Sequence, residues 1–192
     1  NIDAIIDEFL DKHGNIDVLV NNAIMQPQNK PFFEIDEDWW DYMMDLSLKG
    51  YFFACQKASK EMKKRGTKGS LICISSVHSY RAAENWTPYG IAKIGIRRMV
   101  KGLAADLANT GINSNCIAPG AINNTIPDGE KFEPDAMNMP WVPSGRQGLP
   151  SDISNAVIFL SSKMGEYVNG ETILVDGGMI ATGLGVGRPD GK

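Results

Sequence analysis

The chain has 192 residues, 43% of them hydrophobic, and a formal net charge of −4. This length and composition indicate one soluble domain with a real core, and the acidic balance argues against nucleic acid as a partner. No apolar run is long enough to predict a membrane span, and the three cysteines show no Cys-x-x-Cys or Cys/His metal pattern. We therefore expect a cytoplasmic protein with reduced thiols and no metal site.

The first segment predicts a helix followed by a short strand. Apolar residues recur at helical spacing over residues 2–10, and Gly14 is placed to end this helix in a left-handed cap. Residues 16–20 form a short apolar run, which predicts a strand that ends at Asn21.

The second segment predicts a long helix over about residues 38–64, with Asp36 as its N-cap. This helix carries methionine and aromatic side chains along much of its length, from Trp40 to Met62. Such a stripe is more typical of a protein core or of an interface between subunits than of a cofactor site.

The third segment predicts a second strand and a second long helix. Residues 70–74 are apolar and β-branched, and Ser75 and Ser76 stand where this strand ends. Thr87 as N-cap and Pro88 at the first helical position predict the start of a helix that continues to about residue 109.

The last third predicts two more strands with one helix between them. A strand over residues 112–117 leads directly into a Pro-Gly-x-Ile turn at residues 119–122. A helix that ends near residue 162 and a strand within residues 169–178 follow. Four strands that alternate with helices predict an α/β fold with a doubly wound, parallel sheet.

Two segments of this last third have no predicted helix or strand. Residues 123–147 lack periodicity, and a loop of this length in a compact domain is typical of a functional lid. The Gly-rich tail, residues 183–192, is expected to be loosely packed or to lie on another subunit. Its glycines do not stand between a strand and a helix, so they do not predict a phosphate-binding turn.

Ser76, Tyr89 and Lys93 together suggest a chemical site. Tyr89 and Lys93 are four residues apart and share a helix face, and Ser76 precedes the tyrosine by 13 residues at a strand end. A nearby ammonium favours phenolate, so we expect Lys93 to lower the pKa of Tyr89. Such a tyrosine can move a proton to or from a substrate oxygen that the serine hydrogen-bonds. The Tyr–Lys spacing alone also occurs as a surface pair on amphipathic helices.

This pattern resembles the Ser, Tyr and Lys of the short-chain dehydrogenase/reductase family, and the similarity covers essentially all 192 residues. The resemblance implies one Rossmann-like domain at residues 1–192 that lacks the family's first three strands and its Gly-rich turn. It implies an NAD(P)-dependent oxidoreductase. In that enzyme Tyr89 is the general acid/base, Lys93 also binds the nicotinamide ribose, and Ser76 positions the substrate oxygen.

The resemblance also assigns residues near the adenosine half of the cofactor and in a proton relay. Asn22 and Ala23 match the family's turn beside the adenosine, where Ile24 replaces a glycine and its Cβ is expected to crowd the cofactor. Ser47 stands where the family has a relay asparagine. A serine cannot supply an amide donor and a carbonyl acceptor together, so we expect an altered relay or one rebuilt with an extra water.

A second turn is assigned to the nicotinamide half. Pro119, Gly120 and Ile122 match the family's Pro-Gly-x-Ile turn, which lies against the nicotinamide. Asn124 stands where a threonine often follows, and an amide there still offers a polar group.

The sequence indicates the substrate less specifically than it indicates the reaction. Within the family, the segments 75–78, 119–123, 130–132 and 176–179 are most similar to bacterial glucose 1-dehydrogenases, which favours a sugar or polyol. The resemblance further implies NAD or NADP and a homo-tetramer or dimer joined through the two long helices. Two alternatives stay open. One is a 3-oxoacyl, steroid-like or other carbonyl reductase, and the other is a non-catalytic dehydrogenase-like interaction domain.

Overall fold

The computed structural model describes residues 2–123 and 139–182. Its centre is a parallel sheet of four strands, which lie side by side in their chain order. The strands are β1 (Val18–Asn21), β2 (Ser70–Ile74), β3 (Asn113–Pro119) and β4 (Thr172–Val175). A helix connects each strand to the next, because parallel neighbours need a crossover.

Helices cover both faces of this sheet. The helices α1 (Ile2–His13), α3 (Gly50–Arg65) and α4 (Thr87–Asp106) pack on one face, and α5 (Pro150–Ser161) packs on the other. Successive side chains of β2 point to opposite faces of the sheet, as helices on both faces require. Leu71 and Cys73 belong to the core under the first three helices, whereas Ile72 and Ile74 belong to the core under α5. The predicted α/β, doubly wound parallel fold is confirmed.

Strand β1 forms one edge of the described sheet. Its Val18 and Val20 are 39% and 41% exposed, although the strand is as apolar as its buried neighbours. None of the helices in the described ranges has the length and apolar character that a membrane crossing requires.

The long helix predicted over residues 38–64 consists of three pieces. It comprises α2 (Glu37–Met44), a π-helical turn at Asp45–Lys49, and α3. The Asp36 carboxylate accepts a hydrogen bond from the backbone N–H of Trp39 at 2.8 Å, so the predicted N-cap is confirmed.

The predicted N-cap of α4 is wrong. Thr87 is the first helical residue, and Trp86 is the N-cap without a side-chain hydrogen bond. Pro88 still lies in the first turn, where its missing N–H leaves no helical bond unmade. At the other end, α4 stops at Asp106, and the chain leaves it through Asn109 with a left-handed φ of 64°.

One predicted segment lies partly, and another wholly, outside the described residues. The predicted lid over residues 123–147 includes residues 124–138, and Asn124 lies among these. The tail at residues 183–192 also lies outside. The described end of the loop is tied to the turn after β4, since the N–H of Ser144 donates to the carbonyl oxygen of Gly177 at 3.0 Å.

Candidate active site

The carboxyl ends of the four parallel strands meet at one edge of the sheet, and a cleft of about 930 Å³ opens there. Its walls come from the ends of β1, β2 and β3 and from the first turns of α4 and α5. The lining residues that the sequence singled out are Asn22, Ile24, Ser75, Ser76, Tyr89, Lys93, Pro119, Gly120 and Ile122.

Ser76 begins the connection from β2 to α4. It is 7% exposed and extended, and its hydroxyl accepts a hydrogen bond from the backbone N–H of His78 at 3.2 Å. A short 3₁₀ turn, Val77–Ser79, starts at this point and turns the chain toward α4. The local fold therefore leaves the Ser76 side chain at the cleft beside Tyr89.

Tyr89 lies one helical turn before Lys93 on the inward face of α4, and both side chains are buried. Burial raises the pKa of Tyr89 above its ordinary value, and a side-chain hydrogen bond with Ser76 opposes this increase. The expected lowering by Lys93 is wrong for this structure. Desolvation penalises a buried phenolate, and it outweighs any stabilisation by the ammonium, which lies 5.5 Å from the centroid of the Tyr89 ring.

Lys93 is held at both ends by the terminus of β2. Its Nζ donates to the carbonyl oxygen of Ile74 at 2.8 Å, and its own carbonyl oxygen accepts from the hydroxyl of Ser75 at 2.9 Å. The side chain is 1% exposed, and burial lowers the pKa of Lys93 to about 8. The three consecutive residues 74–76 thus fix both Lys93 and Tyr89.

Ser47 lies apart from this group. It is fully buried in the π-helical turn, and its hydroxyl donates to the Sδ of Met43 at 3.5 Å. It does not line the cleft. The structure therefore brings Ser76, Tyr89 and Lys93 together and gives Ser47 a partner in the adjoining core.

The turn after β1 contains two residues that line the cleft and one that is anchored through its backbone carbonyl. Asn22 and Ile24 line the cleft, and Ile24 also packs beside Tyr89. Ala23 does not line it, but its carbonyl oxygen accepts a hydrogen bond from the Tyr51 hydroxyl at 3.0 Å. This contact fixes the turn against α3.

The Pro-Gly-x-Ile turn is set by close packing against the end of β4. A Cβ on Gly120 would lie 2.7 Å from the Cα of Asp176, which is closer than real Cβ contacts allow. Ile122 pairs in parallel with Gly148 and lines the cleft next to Pro119 and Gly120. Glycine at this position therefore lets the β3 and β4 ends meet.

These residues fit the nicotinamide ribose half of a dinucleotide. Ile74 and Ile122 offer an apolar surface for a flat ring, and Ser75, Ser76 and Lys93 lie beside it. Within residues 2–123 and 139–182, no group of three or more His, Cys, Asp or Glu side chains is placed to hold a metal ion.

Sequence reasoning missed three aromatic neighbours of the site. His78 stacks on Trp86 with 4.3 Å between ring centroids, and both rings meet Tyr89 edge-on. Trp86 stands one helical turn before Tyr89, and this spacing was a usable signal. Tyr51 carried no such signal, because it belongs to a distant helix and meets Lys93 only in the folded chain.

The sequence was compared with protein-family models and with known proteins. A family model described as enoyl-(acyl carrier protein) reductase matches residues 1–180. The 2-dehydro-3-deoxy-D-gluconate 5-dehydrogenase of Escherichia coli strain K12 is 37% identical over 182 residues, covering 94% of this chain and 72% of that protein. The 3-oxoacyl-[acyl-carrier-protein] reductase FabG of Chlamydia pneumoniae is 33% identical over 177 residues, covering 91% and 69%.

A solved structure shows the same arrangement of the chain. The gluconate 5-dehydrogenase from Burkholderia cenocepacia J2315, crystallised with NADP and tartrate, is 35% identical. It superimposes with a TM-score of 0.81 over 95% of this chain and 71% of that one. This match, the two relatives and the family model agree with the fold. The chain belongs to the short-chain dehydrogenase/reductase family.

Proposed function

We propose that this protein is an oxidoreductase that transfers a hydride between a nicotinamide cofactor, NAD or NADP, and an alcohol or carbonyl carbon. The observation that carries the proposal is the convergence of Ser76, Tyr89 and Lys93 in one cleft at the carboxyl ends of the strands. Relatives of the same family that bind NADP support the choice of cofactor.

In the direction of carbonyl reduction, a bound nicotinamide would supply the hydride that the carbonyl carbon accepts. The Tyr89 hydroxyl donates its proton to the carbonyl oxygen as negative charge develops there. A raised pKa keeps this hydroxyl protonated at neutral pH, which suits it to act as the acid. Ser76 hydrogen-bonds the same oxygen and fixes its position next to Tyr89. In alcohol oxidation the same groups act in reverse.

Lys93 has two roles in this proposal. Its ammonium, held at the end of β2, hydrogen-bonds the nicotinamide ribose and stabilises negative charge on the Tyr89 oxygen during proton transfer. Asn22 and Ala23 would contact the adenosine half of the cofactor, and Pro119, Gly120 and Ile122 would contact the nicotinamide half. Each of these assignments follows from the family resemblance of its segment.

We propose a polyhydroxylated substrate: a sugar, a sugar acid or a polyol. Gln26, Gln28 and Ser154 line the cleft, so two amides and a hydroxyl are available to hydrogen-bond substrate hydroxyls. The relatives from Escherichia coli and Burkholderia cenocepacia are named for sugar acids. The motifs similar to glucose 1-dehydrogenases point to the same chemical class.

A 3-oxoacyl or other carbonyl reductase is the second candidate, because the chain is also 33% identical to a FabG and 35% identical to a 3β-hydroxysteroid dehydrogenase. Apolar side chains of α5, namely Ile153, Val157 and Ile158, line one wall of the cleft and would suit such substrates. A non-catalytic interaction domain is the third candidate. The intact Ser76–Tyr89–Lys93 group opposes it.

The test is a substrate panel followed by absorbance of the reduced nicotinamide. Full-length protein is assayed with NAD and NADP against D-glucose, D-gluconate and 2-dehydro-3-deoxy-D-gluconate, and in the reducing direction against an acetoacetyl thioester and a 3-ketosteroid. We expect the highest kcat/KM with one of the three sugar compounds. A higher value for the thioester or steroid would establish the second candidate. Cofactor binding without turnover of any compound would establish the third.

We also propose that the protein is a cytoplasmic homo-oligomer, a tetramer or dimer. Three buried, unpaired cysteines support a reducing compartment. An apolar groove supports association: Met44, Leu48, Phe52, Phe53 and Met99 line it on the outer faces of the two long helical segments.

A further inference from the structure

The ammonium of Lys93 lies between the rings of two tyrosines. Its Nζ is 5.3 Å from the ring centroid of Tyr51 and 5.5 Å from that of Tyr89. The carbonyl oxygen of Ile74 accepts its hydrogen bond at 2.8 Å. Within residues 2–123 and 139–182, no carboxylate lies at ion-pair distance from this nitrogen.

Tyr51 is fixed in place from two sides. It stands at the start of α3 and is 2% exposed, and its hydroxyl donates to the carbonyl oxygen of Ala23 at 3.0 Å. The amide of Asn21 donates to the backbone carbonyl oxygen of Tyr51 at 3.5 Å. The ring therefore cannot turn away from Lys93 without breaking its bond to the turn after β1.

The ionisable groups around Lys93 carry no negative charge near neutral pH. The ionisable groups that face it are Tyr51 on α3, Tyr89 on its own helix, Cys73 on β2 and Cys116 on β3. A hydrogen bond with Cys55, together with burial, raises the pKa of the Cys73 thiol, and burial raises the pKa of Cys116 to about 12, so neither is an anion near neutral pH. The aromatic faces and one carbonyl oxygen therefore replace the water that this ammonium lost on burial.

We infer that Tyr51 is a positioning residue for Lys93. The Tyr51 ring keeps the buried Lys93 ammonium charged and directed at the end of β2. The inference rests on the role proposed for Lys93. It extends the site to α3, which does not line the cleft. The Tyr51 hydroxyl contributes indirectly, because its bond to Ala23 fixes the ring. No other residue of α3 is placed to do this, among those described.

The test separates the ring from the hydroxyl. Tyr51→Phe keeps the aromatic face and loses the bond to Ala23, whereas Tyr51→Met fills a similar volume without a ring. The pKa of Lys93 is measured from the ¹³Cε shift in lysine-labelled protein, with the resonance assigned by Lys93→Arg. We expect the Phe variant to keep the wild-type pKa within a few tenths, and the Met variant to lower it by about one unit.

A second measurement covers the case in which Tyr51→Met does not fold. Phenylalanines with increasing fluorination, introduced at position 51, keep the ring shape and weaken its negative face, so the Lys93 pKa should fall stepwise along the series. An unchanged pKa in the Met variant, or no trend in the fluorinated series, would overturn the inference. Because neither measurement needs turnover, an inactive wild-type enzyme would count against the proposed function alone.

Discussion

The hydroxyl of Ser75 donates a hydrogen bond to the carbonyl oxygen of Lys93 at 2.9 Å. The backbone N–H of the same serine donates to the carbonyl oxygen of Ile117 at 2.7 Å. One buried residue therefore joins β2, β3 and α4 at the position where α4 carries Lys93.

Ser75→Ala should loosen this junction. We expect the free energy of unfolding to fall by about 1 kcal/mol, the net worth of one buried hydrogen bond. We also expect KM for the cofactor to rise several-fold, because Lys93 keeps only one of its two contacts with the end of β2. Thermal unfolding and initial rates at varied cofactor concentration measure the two effects.

Ser59→Ala is the matched control for this variant. Ser59 is also buried, and its hydroxyl donates to the backbone carbonyl oxygen of Cys55 at 2.6 Å, far along α3 from the cleft. Both variants should lose similar stability, and only Ser75→Ala should raise the cofactor KM. Equal kinetics in the two variants would show that Ser75 has a purely structural role.

The pH dependence of carbonyl reduction follows from two opposite pKa shifts. Burial lowers the pKa of Lys93 to about 8 and raises that of Tyr89, so Lys93 loses its proton first as the pH rises. Reduction needs Tyr89 protonated and Lys93 charged. The rate should therefore be constant below neutrality and fall above about pH 8. A rate that stays constant beyond pH 9.5 would contradict the expectation that Lys93 loses its proton before Tyr89.

Ser47→Asn should restore a donor and an acceptor at the relay position. We predict a modest gain in turnover or a shifted pH optimum without a change of substrate, with a gain of at most one to two kcal/mol, roughly one hydrogen bond to a partly charged network. Ser47→Ala is the control, because it removes only the contact with Met43. pH–rate profiles at saturating cofactor compare the three proteins. Identical Asn and wild-type profiles would contradict a relay role for position 47.

Phe53→Glu tests the proposed association of subunits. Phe53 is 47% exposed in the apolar groove, and a carboxylate there would be desolvated when two copies meet. We expect light scattering to show a smaller particle than the wild-type protein. Phe33→Glu is the control, since this side chain is 97% exposed and does not line the groove. A monomeric but active wild-type protein would contradict the proposal.

Sequence patterns predicted the elements that depend on local rules. The apolar run at residues 70–74 and the spacing of Tyr89 and Lys93 follow strand and helix geometry. Both the strand and the shared face of Tyr89 and Lys93 on α4 could therefore be predicted from the sequence. The π-helical turn at Asp45–Lys49 was not, because its residues are compatible with an ordinary helix.

Burial and contacts between distant segments explain the remaining differences. The direction of the Tyr89 pKa shift depends on how completely the ring is desolvated, which the sequence does not express. The contact between Tyr51 and Lys93 joins two helices that are remote in the chain. The Ser47 prediction relied on the family position, whereas the local packing turns its hydroxyl toward Met43.

The most direct test of the account is the turnover of Tyr89→Phe in the full-length protein, measured with the best substrate of the panel. Tyr167→Phe, a change at a fully exposed tyrosine, is the control for loss of a phenol in general. We predict that Tyr89→Phe loses 10²- to 10⁴-fold in kcat while cofactor affinity stays within a few-fold, and that the control is unchanged. Retention of more than about a tenth of the wild-type rate would contradict the role of Tyr89 as the general acid/base.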